Sequence, residues 1–482
     1  ANVTPELGSK VFFSPMLCSM LRRMFRISGL SLGTNIAHII ILVTMSLTQL
    51  MNRIAFGVTG AVAVGSSGFL FRDLADISQW VIHTDRDDVF WTFQYRHTLT
   101  ALSVVSSAAN SAIWYNTKCF PLPLWAAVNG TSLFLFFSGY VNPAFMMRPR
   151  NKNAVFVSND KIFDLLKRDE TVIVTQVGDS ELPRAFPDSQ VLRPHVVRAG
   201  TTKTGVPVTM TYCGLTHLGM AFETPPHKDG KDMELAPLTQ LENNLVLVDR
   251  ASGHIFGQQI NGVDETRLLD TIAGTSQNVT KRRPTQEQLK VCHLLETELP
   301  KEVASWRMTL DNFVRTYPKG EVFINDYKMY KGIRKPITSL YDVFIDAIFE
   351  TTVHLQATQK EPIFPTIQHV DDRLPPKELV WAFNVGNDYV AVTERFVRGS
   401  SPNGVHNLLV GGMPIVAAWD SVACSLGIWH RPSTDLIKDI VDIRGRVNGQ
   451  KEPLERLSTV KNGAFWMVWA NFFPQTRVNP EA

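Results

Sequence analysis

Residues 378–395 read ELVWAFNVGNDYVAVTER, and residues 170–187 read ETVIVTQVGDSELPRAFP. In each, an apolar run meets Gly-Asn or Gly-Asp and then resumes, a pattern that predicts strand, turn, strand. The two segments align at an offset of 208 positions. Further along, Gly205–Cys213 (GVPVTMTYC) aligns with Gly412–Asp420 (GMPIVAAWD) at an offset of 207. Trp306–Val322 resembles Trp466–Val478, each reading as an aromatic helix, a proline-containing turn and a short strand, but the offset has shrunk to 160. The second copy has therefore lost a middle section. These matches predict an internal duplication. A first β-rich unit covers 148–330, a helical connector 331–376, and a second β-rich unit 377–482.

Within the connector, Ile337, Leu340, Tyr341, Phe344, Ile348 and Phe349 recur at one-sided helical spacing over Ile337–Ala357. Gln286–Glu298 reads as another helix, and Lys281-Arg282-Arg283-Pro284 as a solvated basic turn.

Charge divides the chain in two. The whole 482 residues carry 48 Lys+Arg against 45 Asp+Glu, a net charge of +3. That balance lacks the basic excess expected of a nucleic-acid-binding protein. Residues 1–147, however, hold only 9 basic and 6 acidic side chains, whereas the rest hold 39 of each. Four apolar stretches occupy the charge-poor part: Thr34–Met51, Ile54–Phe71, Leu99–Tyr115 and Leu122–Val141. Each is about the length a helix needs to cross a hydrocarbon core of about 30 Å. Asn52 and Arg53 alone separate the first two, which form either a tight hairpin or one long tilted helix. Trp80, Trp91, Trp114 and Trp125 stand near the ends, where indole rings favour the membrane interface. Ala61/Gly65 and Ala108/Ala112 are small pairs that let helices approach closely. Residues 33–147 are thus expected to be a transmembrane helical anchor, and the fold class is α+β, with N-terminal transmembrane helices followed by a β-rich soluble domain of two duplicated units.

Residues 1–32 form an amphipathic segment in which Arg22, Arg23 and Arg26 lie among Met, Leu, Phe and Ile with no acid beside them. It suits a membrane surface or the remnant of a transit peptide. With the non-Met start, it sets the expectation of a mitochondrial inner membrane, a plastid or other cell membrane being the alternative.

The β-rich part resembles a known family. The residues that carry the likeness are Tyr212-Cys213-Gly214-Leu215-Thr216 with Phe222, Leu245–Asp249 followed by Gly253 and Gln258-Gln259, and Trp306 with Pro318. Most specific is Asp371-Asp372-Arg373-Leu374-Pro375-Pro376-Lys377-Glu378. Together they are similar to the DUF3179 family, over about residues 150–480. In that family a D-x-R-L-P-P-K-E stretch opens a second strand unit, and the Asn142-Pro143…Arg148-Pro149 run resembles its membrane-anchored members. The family has no settled activity, so the resemblance implies a fold rather than a reaction. This chain departs from the family's Tyr-Cys-Pro-Leu-Cys, having Thr216 at the second cysteine, which removes half of any metal or redox pair. The family's histidine maps onto His195, followed here by Val196-Val197-Arg198-Ala199.

No H-E-x-x-H, G-x-S-x-G, phosphate-binding glycine loop or G-x-G-x-x-G occurs. The five cysteines, Cys18, Cys119, Cys213, Cys292 and Cys424, are odd in number and widely spaced. His195, Cys213 and His217 are the candidate metal ligands, with His227 or His254 near in sequence, because thiolate and imidazole suit zinc, copper or iron. One thiolate is too few for a structural zinc site. No catalytic residue, cofactor or metal is therefore expected. Asp371-Asp372, flanked by Arg373 and Lys377, reads as a structural ion network. The expected function is a non-catalytic accessory subunit of a large membrane complex, a respiratory-chain complex in particular, whose partners are other subunits and lipid, not nucleic acid. The alternative is a membrane-bound metal or redox enzyme using the Cys/His site near Cys213.

Overall fold

The structure, a computed structural model, describes residues 31–82, 84, 86–140, 147–178, 183–227, 230–251, 255–257, 300–326, 336–367 and 369–480. The Arg22/Arg23/Arg26 segment, Asn142-Pro143, His254, Lys281–Pro284 and the Gln286–Glu298 helix lie outside the described residues. Two compact units emerge: residues up to Ser67 with Thr98–Leu135, and Gly68–His97 with Phe136–Ala482.

The four apolar stretches lie on three helices: α1 (Ser31–Leu74), α2 (Arg86–Thr117) and α3 (Leu122–Tyr140). The first two stretches are one continuous helix. Asn52 and Arg53 include no proline or glycine, so nothing interrupts the hydrogen-bond ladder between them. Along α1, Thr44, Thr48 and Ser67 return their hydroxyls to carbonyls four residues back. In the first unit, buried Asn110 donates to the Phe56 carbonyl at 2.7 Å and accepts from Asn129 at 2.9 Å. Ser103 and Ser107 converge on buried Ser132 at 3.3 and 3.2 Å. Small polar side chains thus join the helices, as they do where packing rather than hydrophobic exclusion drives association. Among the described residues, Leu42–Leu74 and Leu122–Gly139 are long and apolar enough to cross a membrane. The α2 sequence carries Arg86, Asp87, Asp88 and Arg96 in its first half and does not meet that measure.

The chain after Met147 is β-rich. Its first half holds β1 (Val155–Ser158), β2 (Thr171–Gln176), β3 (Pro183–Pro187), α4 (Asp188–Val191), β4 (Val196–Thr201), β5 (Pro207–Cys213), β6 (Leu218–Glu223), β7 (Leu235–Leu241), β8 (Asn244–Asp249), β9 (Ile255–Gly257), β10 (Lys301–Val303), β11 (Ser305–Thr309), α5 (Leu310–Thr316) and β12 (Glu321–Ile324). Helix α6 (Pro336–Thr358) follows, then β13 (Leu379–Val385), β14 (Asp388–Thr393), α7 (Glu394–Ser400), β15 (Val405–Val410), β16 (Met413–Asp420), β17 (Ser425–His430), β18 (Lys461–Phe465), α8 (Trp466–Phe472) and β19 (Arg477–Val478).

Among the described residues five sheets result, ordered β1-β12-β3-β2-β11, β10-β6-β5-β4, β7-β8-β9, β18-β13-β14-β19 and β15-β16-β17. Both hairpins predicted from the opening segments are present, as β2–β3 and β13–β14. Each has an antiparallel strand on one side, β11 or β18, and a parallel strand on the other, β12 or β19. A seven-residue helix, α5 or α8, links the two flanking strands. Gly205–Cys213 and Gly412–Asp420 supply the middle strands, β5 and β16, of antiparallel meanders. Trp306, expected in a helix, lies instead in β11, whereas Trp466 begins α8. Thr309 is the reason: its hydroxyl accepts from Asn312 N and starts α5 after Trp306 has passed. Strand β11 packs against β6, β17 and β18, and β6 against β18, so four sheets meet through one inner strand each in a propeller-like arrangement.

Helix α6 corrects a second expectation. Its apolar residues are not confined to the buried side: Ile345 is 2% exposed, but Val343 is 68% and Phe344 64% exposed. The helix is apolar around much of its circumference, and part of that surface faces outward.

Candidate functional site

The inner strands bring a polar cluster to the centre. Arg307 on β11 is buried because it sits on the face that meets the other inner strands. Its Nη1 donates to the His217 carbonyl at 2.9 Å, and Nη2 pairs with Asp188 at the start of α4. Nη2 also lies 3.2 Å from His217 Nε2, and His217 Nδ1 lies 3.0 Å from the Gly463 carbonyl. A guanidinium only donates, so Nε2 accepts and Nδ1 carries the proton given to Gly463. His217 is thereby used at both nitrogens. Burial first, and Arg307 second, push its pKa down to about 3, so the ring is neutral. Burial raises the Asp188 carboxyl to about 6 against the opposing pull of Arg307. The cluster is a structural knot between strands, with no free ligand atom on its histidine.

His195 and Cys213 go elsewhere. Both line a cavity of about 430 Å³ beneath α6, which His217 does not reach. Burial lowers His195 to about 4 and pushes the Cys213 thiol up, so one is a neutral imidazole and the other a protonated thiol. His195 Nδ1 is buried without a hydrogen-bond partner. His227 pairs with buried Asp249 at 2.7 Å. Among the described residues no group of three or more His, Cys, Asp or Glu side chains is placed to hold a metal.

The cavity is largely apolar, walled by Leu192, Leu215, Leu245, Ile345, Phe349 and Val353. At its rim stand Ile77, Trp80, Phe344 and Ile348, all exposed, with Trp80 stacked on Phe364 at 5.8 Å. One corner is polar. Asp76, two residues beyond α1, accepts from Thr239 Oγ1 at 2.7 Å and from Gln240 N at 3.2 Å. Gln79 and Gln240 exchange amide hydrogen bonds of 2.7 Å. Burial raises Asp76 to about 6, so near neutrality it is close to taking a proton. Sequence reasoning missed this corner. Its signal was an acid, Asp76, a few residues beyond the apolar run that ends at Phe71.

Helix α6 roofs the cavity through a buried ion pair. Arg193 holds Asp342 through Nη2 and Asp346 through Nη1 at 3.2 Å. Gly214 permits the close approach: a Cβ there would meet Val353 Cγ2 at 2.2 Å. Gly214 belongs to the Tyr-Cys-Gly-Leu-Thr run, and this run is what α6 packs against.

The Arg373–Glu378 motif clamps α8. Arg373 pairs with Asp371 at 2.6 Å and donates to the carbonyls of Thr476 and Pro474. The Glu378 and Pro376 carbonyls accept from Trp466 N and Met467 N at 2.9 and 3.0 Å, capping the helix start. Trp466 Nε1 donates to the Asp371 carbonyl.

Among known families, the profile described as a protein of unknown function, DUF3179, matches residues 148–476. No curated protein and no solved structure matches the chain. That profile covers β1 to β18 and the motif that clamps α8, and the chain belongs to the DUF3179 family.

Proposed function

We propose that the chain is a membrane-anchored binding protein that takes a long-chain amphipathic molecule into the cavity beneath α6, non-catalytically. The observation that carries this reading is a 430 Å³ apolar cavity whose rim exposes Ile77, Trp80, Phe344 and Ile348. Water-exposed side chains of that size around an apolar opening mark a lipid or ligand contact. Asp76 gives the head of such a molecule a polar contact that switches protonation near pH 6. The anchor in this reading is the pair of long apolar helices, α1 and α3, and the position of Asp76 two residues beyond α1 supports a ligand drawn from the membrane. To test this, the full chain is purified in mild detergent and its bound lipids are extracted and identified by mass spectrometry. The same is done for Val353→Trp, which fills the cavity. Equal lipid content in the two would defeat the proposal.

A second reading keeps the chain as an accessory subunit of a larger membrane assembly, in a mitochondrial inner membrane. What favours it is length. The 33-residue apolar span Leu42–Leu74 extends about 50 Å at 1.5 Å per residue, well beyond a core of about 30 Å. The excess is accommodated by tilt or by a protein neighbour. The compartment rests on the acid-poor arginine segment. Migration of the detergent-extracted chain alone on a native gel would remove this reading.

The matching strand orders around β2–β3 and β13–β14 support descent of the β-rich part from one duplicated unit. Deleting residues 377–482 and finding that the first half folds unaided would strengthen that reading.

A further inference from the structure

A second cavity, of about 680 Å³, opens between the turn after α5 and the long loop after β17, away from the residues that line the α6 cavity. Among the described residues three cations line it, Lys319, Arg444 and Arg456, and no aspartate or glutamate does. Arg456 is held between two indoles, its guanidinium carbon 4.5 Å from the Trp306 ring centre and 4.8 Å from that of Trp429. Its Nη2 donates to the Ile443 carbonyl, and Arg444 lies over the Tyr317 ring at 5.2 Å. Among the described residues none of the three cations has a carboxylate within ion-pair distance. The nearby carboxylate, Asp442, is taken by Arg446 at 2.5 Å. Trp306 Nε1 is a further buried donor without a partner. Arg456 is turned from water between the rings, and like charges brought together against apolar walls, Ile443 and Leu454 among them, repel one another unless an anion joins them.

We propose that this cavity binds a phosphate ester. The aromatic walls pre-orient Arg456, as stacked guanidinium groups are oriented for planar, forked recognition of phosphate oxygens. A monocarboxylate would neutralise one cation of three. A phosphate monoester, with a charge near −2 at neutral pH, answers more of the field. The volume exceeds that of a phosphate alone and leaves room for the esterified group against the apolar wall. The ester is either a soluble metabolite or the head of a lipid, and both present the same chemistry to Arg444 and Arg456.

Calorimetric titration of the full chain in mild detergent distinguishes them. Phenyl phosphate is the soluble probe, dihexanoyl phosphatidic acid the lipid one, and benzyl alcohol the uncharged control. Binding of either phosphate, with none of benzyl alcohol, is the expected result, and whichever probe binds more tightly identifies the source. Lys319 and Arg444 are exposed, so Lys319→Gln and Arg444→Gln spare the core; each should weaken binding about tenfold, while the remote Arg395→Gln leaves it unchanged. Arg456→Lys, which keeps the charge and loses the forked plane, should weaken it as well. Binding of neither phosphate, equal binding of benzyl alcohol, or phosphate affinity unaltered in the Lys319→Gln/Arg444→Gln double variant overturns the proposal. The cavity beneath α6 plays no part in this test, so its outcome is independent of the amphipath reading.

Discussion

Replacing Arg193 by methionine should release α6 from the β-rich domain without unfolding the sheets. The Arg193 side chain is 3% exposed and that of Asp342 6%, and their pairing is supplemented by Asp346 and by an Arg193 Nη1 bond to the Asp342 carbonyl at 3.1 Å. Removing one partner of a buried pair costs about 3–5 kcal/mol, because the other charge stays desolvated. Here the lower end applies. Arg148 lies 3.5 Å from Asp342 and remains to offset part of the loss. About 3 kcal/mol corresponds to a roughly 150-fold increase in the open population of the helix. Hydrogen exchange followed by mass spectrometry reads this directly: peptides from α6 should exchange that much faster, while those from β13 and β14 keep their protection. The double variant Arg193→Met/Asp342→Leu, which removes both charges, should restore most of the protection. If the single variant leaves α6 protection unchanged, or lowers protection evenly across all sheets, the ion pair is not what holds the helix.

Gly214→Ala should loosen the same helix by about 1–3 kcal/mol, since its Cβ meets Val353 Cγ2, and Val353→Ala should relieve most of the cost; melting curves of the single and double variants check this. Lys377 has its Nζ buried without a partner and its pKa pushed down to about 8 by burial. A cation whose folded pKa is depressed destabilises the fold below that pKa, so Lys377→Met should raise Tm at pH 7, with the difference vanishing above about pH 10.5. Asp76 has the opposite sign: its folded pKa of about 6 exceeds the ordinary 3.8, so its contribution is full below about pH 4 and is lost as pH rises through 6. Asp76→Asn should therefore be more stable than the wild type at pH 8 and not at pH 4, as read by thermal melts at the two pH values. In the helical unit, Asn110→Leu removes the bonds to Phe56 and Asn129 and should cost about 0.6–2 kcal/mol, measured by detergent-dependent unfolding.

The hairpins and meanders were legible because apolar runs broken by Gly-Asn and Gly-Asp turns report directly on backbone conformation. Glu378–Arg395 and Gly412–Asp420 became β13–β14 and β16 at nearly the expected residues. The helix following Trp306 was misplaced for an equally local reason. Two tryptophans were matched by residue type, although the start of α5 is set by the Thr309 hydroxyl and that of α8 by the Pro376 and Glu378 carbonyls. Side-chain identity marks what an element buries; capping marks where it begins. The same distinction explains α1: polar Asn52 and Arg53 left a hairpin and one long helix both open, and neither supplies a conformation that stops a helix, so the chain continues as one helix.

The site was harder to read, because its parts come from elements whose pairing no local pattern specifies. His195, Cys213 and His217 are close in sequence, and nearness in sequence suggested one cluster. The meander separates them. Cys213 ends β5 and is directed into the α6 cavity, whereas His217, at φ +56° in the turn before β6, is drawn to the centre by Arg307 and Gly463. What surrounds Cys213 is an apolar cavity roofed by α6. With Thr216 buried and bonded to the Cys213 carbonyl at 3.2 Å, and Gly214 against Val353, the run that resembles a metal-binding turn has become a seat for a helix. The Thr216 hydroxyl offers no soft ligand, and Gly214 admits Val353. The 212–216 run thus seats a helix over an apolar cavity, and Thr216→Cys alone, with Gly214 and α6 in place, should produce no metal binding.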